Sequence, residues 1–219
     1  LGLGDYHLEK PALETYTAYS TPFSLTEFPS LHSRLEKTVS GLFPSADPTL
    51  NYEVARLLAI VEARDSRNPE RLTAFWDQRS TPTSDFHYLT VFSRLRAASV
   101  SNHTEKIADT IVSLDRKLAG LQQRPKQNWS TRLTELTGAL IKNDPRLVDA
   151  MMRHLDFARP GNLPLVPLLG ANRYTASARL FLATVQRDPN FLWSDPLIDL
   201  LAALPTEETH PLFRRQLSK

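Results

Sequence analysis

Six histidines, His7, His32, His87, His103, His154 and His210, are the residues of this 219-residue chain most suited to acid-base or metal chemistry. Their spacing offers neither. A zinc site on one helical face takes the pattern His-Glu-x-x-His, which does not occur here. Glu207-x-x-His210 has the spacing used in di-iron bundles, but those need a second such motif and two further glutamates on facing helices. Pro211 follows at once, so the sequence reads there as the solvated start of a C-terminal helix rather than a helix interior. Asp85 stands two residues before His87, a separation at which helical side chains point in different directions. Asp85 therefore reads as a cap or first-turn acid beside Ser84. No His-Asp dipeptide and no Gly-x-Ser-x-Gly turn is present. With 7 glycines and no cysteine, the chain lacks the means for phosphate-cradling loops, disulfides and thiolate metal sites. The sequence predicts no catalytic residue, no metal site and no cofactor.

One charged stretch invites a partner. Arg116, Lys117, Arg124, Lys126 and Arg132 surround Trp129, and Asp115 is the only acid between positions 115 and 132. Such a stretch suits a phosphate-bearing polymer, a lipid headgroup or an acidic protein surface. The plainer account is that long basic side chains solvate a helix end and a link, where positive charge is favoured near a helix C-terminus at about Gln122. Trp76 and Trp193 read as core anchors between helix pairs. The formal charge of +2 supplies no general pull toward nucleic acid or membrane.

The elements that would carry these residues are announced by proline. Asp47-Pro48, Asp144-Pro145, Asp188-Pro189 and Asp195-Pro196, with Asn68-Pro69 as a fifth case, match the pairing of an N-cap carboxylate or amide with proline at the first helical position. Apolar stripes of helical period follow: Leu50, Val54, Leu57, Leu58 and Val61; Ile107, Ile111, Leu114, Leu118 and Leu121; Tyr174, Ala178, Phe181 and Val185. Further stripes are Leu31, Leu35, Val39 and Leu42; Tyr88, Val91, Phe92 and Leu95; Leu133, Leu136 and Leu140; Val148, Met151, Met152 and Leu155. No comparable segment alternates as a half-buried strand does, so the chain reads as all-α with about ten helices. Links at 62–68, 78–84, 122–128 and 156–164 are short enough to join antiparallel neighbours. The expected architecture is a right-handed α-solenoid of helix pairs over residues 1–219, one elongated helical-repeat domain. An irregular helical bundle is the alternative, because the starts are unevenly spaced and give no clean repeat.

Composition is that of an ordinary globular protein, 41% hydrophobic and 23% charged, and no apolar run approaches the length of a membrane span. The first residue is not Met and no signal-peptide pattern follows, so the chain reads as a processed product or a fragment of something longer.

The phrases ETYTAYST (14–21), NYEVARLLAIVEARD (51–65), TSDFHYLTVFSRLR (83–96), LDRKLAGLQQRPKQNWSTRLTEL (114–136) and LVDAMMRHLDFARPGNLPLVPLL (147–169) resemble the HEAT-like helical regions of large multi-domain bacterial envelope proteins. The resemblance covers roughly residues 10–190 in texture and carries over no site residue. It implies an envelope or periplasmic location and flanking domains, typically a β-propeller and often a c-type haem domain, a layout shared with membrane-coat-like proteins. Haem attachment through Cys-x-x-Cys-His is impossible in this chain, so redox activity would belong to a flanking domain. The function this predicts is a non-catalytic scaffold whose partner is a flanking domain or another protein. Two alternatives stand beside it: an all-α enzyme or ligand-binding domain whose residues converge only in space, and a coat-like module on an anionic membrane surface. Convergence of Glu53, His87, Asp144 and His154 in one pocket would favour the enzyme.

Overall fold

The computed structural model describes residues 14–21, 25–95, 102–122 and 128–217. Among these residues the chain is all-α, with ten α-helices and no strand. Two short 3₁₀ turns, η1 (Glu14–Tyr16) and η2 (Leu25–Glu27), precede α1 (Pro29–Leu42), α2 (Pro48–Ile60), α3 (Asn68–Thr73) and α4 (Pro82–Arg94). There follow α5 (Thr104–Gly120), α6 (Trp129–Asn143), α7 (Leu147–Arg153), a 3₁₀ segment η3 (Pro160–Leu169), α8 (Ala171–Arg187), α9 (Asp195–Ala202) and α10 (Thr206–Leu217).

The Asp-Pro device works fully at α2, where Asp47 accepts hydrogen bonds from the amides of Thr49 and Leu50 and Pro48 opens the helix. Elsewhere the same dipeptide does related but different work. Asp195 and Asn68 are the first residues of their helices rather than caps. Asp144 and Asp188 each close the helix before them. The Asp144 carboxylate then accepts from the Arg146 amide ahead of α7, whereas Asp188-Pro189 only turns the chain, its carboxylate taking the Asn190 amide, and no helix begins there. Asp188-Pro189 as a helix start is thus corrected. Proline prevents continuation of the preceding helix, and the next residues, Phe191 to Trp193, lie outside any helix, with Phe191 driven into the core. Pro211 lies inside α10, contrary to the expected break. It is the sixth residue of that helix, past the first turn, where it removes one amide from the intrahelical ladder.

Packing runs mostly between near neighbours in sequence: α1 on α2, α2 on α4, α4 on α3, α5 and α6, α5 on α7, α6 and α8 on η3, and α10 on α9. A single apolar cluster extends through this series from Val39 to Leu212. Trp76 is an anchor as expected, 1% exposed and edge-on to Phe92. Trp193, half-buried, packs edge-on against Phe213. The stripes on α4, α6 and α8 face inward as read.

On α1 the expected stripe is on the wrong side. Val39 is buried, but Leu31, Leu35 and Leu42 are exposed, together with Phe28. The buried side instead carries His32, Val39 and Ser40, and it is fastened by polar bonds. His32 Nε2 donates to the Val61 carbonyl at 2.6 Å, and Arg71 Nη1 reaches the carbonyls of Ser40 and Phe43, each at 3.0 Å. Helix α2 is rotated likewise, burying Asn51, Val54, Ala55, Leu58 and Ala59 while Leu50 and Leu57 face out. Small residues at 55 and 59 let neighbouring backbones approach, an advantage that hydropathy alone does not register. Leu121 and Leu155, the last members of their stripes, are also exposed, each just past a helix end.

The expected link at 156–164 is half helix. Pro160, Pro164 and Pro167 sit within η3, where they remove the amides an α-helix needs, and the segment winds more tightly instead. Asn162, fully buried, locks it by donating to the carbonyls of Val112 (3.1 Å) and Asp156 (3.0 Å). Glycine is required at 161, since a Cβ there would stand 2.6 Å from Asp115 Cγ and 2.9 Å from its Cβ. No described helix is long and apolar enough to cross a membrane.

Candidate functional site

The basic stretch is built into the fold more than onto it. Lys117, in the last turn of α5, inserts its ammonium between α5 and the start of α4, 2.5 Å from Asp85 Oδ2 and 3.0 Å from Ser80 Oγ. Its side chain is 9% exposed and that of Asp85 is fully buried. Desolvation pushes the Asp85 carboxyl upward, opposed by hydrogen bonds from Lys117 and Ser80. Arg116 pairs with Asp156 at 2.8 Å and donates to Gln78 at 2.8 Å. Arg132 stands on α6, where its carbonyl lies 3.2 Å from the Thr15 hydroxyl. Arg124 and Lys126 lie outside the described residues. Trp129 does not present an open face but packs against Phe86 and the core. Asp85 is a first-turn acid of α4, as expected, while the cap is Thr81, whose side chain accepts from the Ser84 amide.

Glu53, His87, Asp144 and His154 do not share a pocket. His154 Nε2 bonds Asp109 at 2.8 Å, and Asp144 is held by Arg146 at 2.9 Å. Glu53 pairs with Arg56 one turn along α2. Among the described residues no group of three or more His, Asp or Glu side chains is placed to hold a metal ion. Glu207 and His210 fall in the first half of α10, where Glu208, not Glu207, makes an ion pair, with Arg179 at 3.0 Å. An open cleft of about 740 Å³ beside the start of α5 is lined by His103, Glu105, Lys106, Arg146, Asp149 and Arg153 among others. Most of these charges are already matched: Arg153 with Glu105, Asp149 with Arg173 and Arg146 with Asp144.

The densest polar arrangement lies where the segment 14–21 crosses α6, α4 and α2. Thr15 gives both its amide (2.8 Å) and its hydroxyl (2.7 Å) to Glu135 Oε2 on α6. The Tyr16 hydroxyl meets Ser93 Oγ on α4 at 2.8 Å. The Tyr19 hydroxyl meets His87 Nδ1, also on α4, at 2.8 Å. His87 is 1% exposed and stacks on Tyr52 of α2 with ring centroids 3.4 Å apart. The Arg56 guanidinium lies over both tyrosine rings, 5.2 Å from Tyr19 and 5.7 Å from Tyr52. Burial, reinforced by the Arg56 charge, pushes the His87 pKa down to about 3, so its imidazole is neutral. Burial likewise pushes Tyr19 up to about 12. His87 Nε2, enclosed, has no hydrogen-bond partner among the described residues.

No protein-family model, curated protein or solved structure matches this chain.

Sequence reasoning passed over this cluster. Its members come from three elements, at 19, 52 and 87, and no local spacing relates them. The one available signal was ETYTAYST itself, two tyrosines three apart among small hydroxylated residues, in a region otherwise without an apolar stripe.

Proposed function

We propose that the chain is a non-catalytic helical scaffold, a protein-interaction module stacked as a HEAT-like α-solenoid within a larger bacterial envelope protein. The neighbour-on-neighbour packing of α1 through α10 supports the stacked arrangement. The short α3 and α7 and the 3₁₀ segment η3 make its units unequal.

The observation that carries the reading is the outer face of α1. Phe28, Leu31, Leu35 and Leu42 fall at steps of three, four and seven, a line along one side of the helix, and are 52%, 47%, 37% and 51% exposed. Isolated exposed leucines are ordinary, but a line of four large apolar groups on one helix is the usual mark of a contact surface. The inward engagement of Lys117 and Arg116 favours a protein surface over an anionic membrane as the partner. The partner is a flanking region of the same polypeptide or a stably associated protein.

A photo-crosslinking residue placed at Leu35 in the protein as its own cells make it tests this. The reading expects one stoichiometric adduct from position 35 and none from the polar, exposed position of Lys37 on the same helix. Equal yields at both positions, or none at either, would reject it.

A further inference from the structure

We infer that the chain assembles end to end with copies of itself, the outer face of α1 in one copy stacking on the outer face of α9 in the next. The inference rests on the α1 face being a contact surface and names the associated protein as a second copy of this chain.

Large apolar side chains are left uncovered at the two ends of the packing series and hardly anywhere between. At the first end stand the α1 line and, on α2, Leu50 and Leu57, 42% and 43% exposed. At the other end stand Leu192, 70% exposed, and Ile198 of α9, 41% exposed, with Leu180 of α8 and Leu217 of α10. From α3 to η3 the described residues expose only Leu121 and Leu155, each just past a helix end. A helix inside a stack has a neighbour on both sides, whereas an end unit needs a polar outer face to stay single in water. Neither end of this series has one. A stack that continues into another copy leaves this pattern, and because one surface meets a different one, the contact propagates into an open row or closes into a ring.

The two ends also carry opposite charge that the chain itself does not use. On α1, Arg34 flanks the apolar line next to Leu35, and Lys37 lies further round; both are exposed and neither is in an ion pair among the described residues. On α9, Ile198 and Ala202 stand one turn apart on the exposed side, with Asp195 and Asp199 flanking them, exposed and likewise unpaired. Other exposed acids of this half are answered within the chain, Asp149 by Arg173 and Glu208 by Arg179. Pairing α1 with α1 would gather cations and pairing α9 with α9 would gather aspartates, so like-with-like contact is opposed where α1 on α9 is favoured.

Sedimentation velocity on the full chain tests this. The wild type should rise above the mass of a single chain as its concentration goes from about 1 µM to about 100 µM, the range suited to a contact of modest size, and should fall back at high salt. Leu31→Glu/Leu35→Glu blocks one end and Ile198→Glu/Ala202→Glu the other, with circular dichroism confirming that both variants keep their helices. Each variant alone should remain a single chain. An equimolar mixture should form a dimer and nothing larger, because each variant retains one usable end. Should either variant unfold, Arg34→Glu and Asp199→Lys take their places: each should weaken association at least about tenfold, and their mixture should regain it. A wild type that stays single throughout overturns the inference, as does a blocked variant that still dimerises by itself or a mixture that does not associate. The α1 reading is decided separately by the Leu35 adduct: an adduct with a different polypeptide, beside a wild type that stays single, leaves that reading standing and removes this one.

Discussion

Acid should loosen the segment 14–21 and the helices beneath it through one residue, His87. In the unfolded chain its imidazole titrates near the ordinary value of 6.5, whereas in the fold burial and the Arg56 charge hold the pKa at about 3. Between those values the unfolded chain binds a proton that the folded chain refuses, so stability falls as pH drops below about 6.5 and is unaffected by this group above it. At pH 5 the unfolded state gains the free energy of protonation across about 1.5 pH units while the folded His87 is still almost wholly neutral, a loss of about 2 kcal/mol. The groups facing the ring are Tyr19 from the N-terminal segment, Tyr52 and Arg56 from α2, and Tyr88 from its own helix. Urea unfolding at pH 7.5, 6 and 5 on the wild type and on His87→Phe isolates the effect. Phenylalanine keeps the stacked ring on Tyr52 and removes the titration, at a constant cost for the lost Tyr19 bond. The gap between the two proteins should narrow by about 2 kcal/mol from pH 7.5 to pH 5. Parallel stability curves would refute the reasoning.

Removing one half of the Lys117–Asp85 pair by Lys117→Met should cost about 3–5 kcal/mol in urea unfolding, because Asp85 stays fully buried without its cation. Gly161→Ala should cost about 1–3 kcal/mol by driving a methyl into Asp115 and disturbing its contact with Arg159, seen as a lowered thermal midpoint. Asp47→Ala should cost about 1 kcal/mol for the lost cap of α2, while Asp188→Ala, where no helix starts, should stay within about 0.5 kcal/mol.

Much of the fold was legible because helices are specified locally. Leu133, Leu136 and Leu140 and the stripe of α8 give the period, and Asp47-Pro48 gives a start that the backbone obeys. Which side of a helix turns inward is less local. In α1 the inward side is set by His32, Glu36 and Ser40 finding partners in the chain near Val61, Arg64 and Asn68, and those bonds outrank the hydropathy of Leu31 and Leu35. Asp188-Pro189 misled for a related reason, since an Asx turn and a helix cap use the same carboxylate and only the downstream residues distinguish them. The basic stretch was visible as charge but not as pairing. Asp85 and Asp156, which take Lys117 and Arg116, lie 32 and 40 residues away from them. The His87 cluster left only the paired tyrosines of ETYTAYST in the sequence, because its side chains come together from three elements.

The central claim is that the apolar line on α1 is displayed rather than buried, and the stability of Leu31→Lys/Leu35→Lys measures that most directly. Lysine forms helix about as well as leucine, and its stem can lie along whatever surface remains. The account predicts an unfolding free energy within about 0.5 kcal/mol of the wild type, against a loss of several kcal/mol for Val39→Lys on the buried side of the same helix. A loss of 2 kcal/mol or more in the double variant would place Leu31 and Leu35 in the core and contradict it.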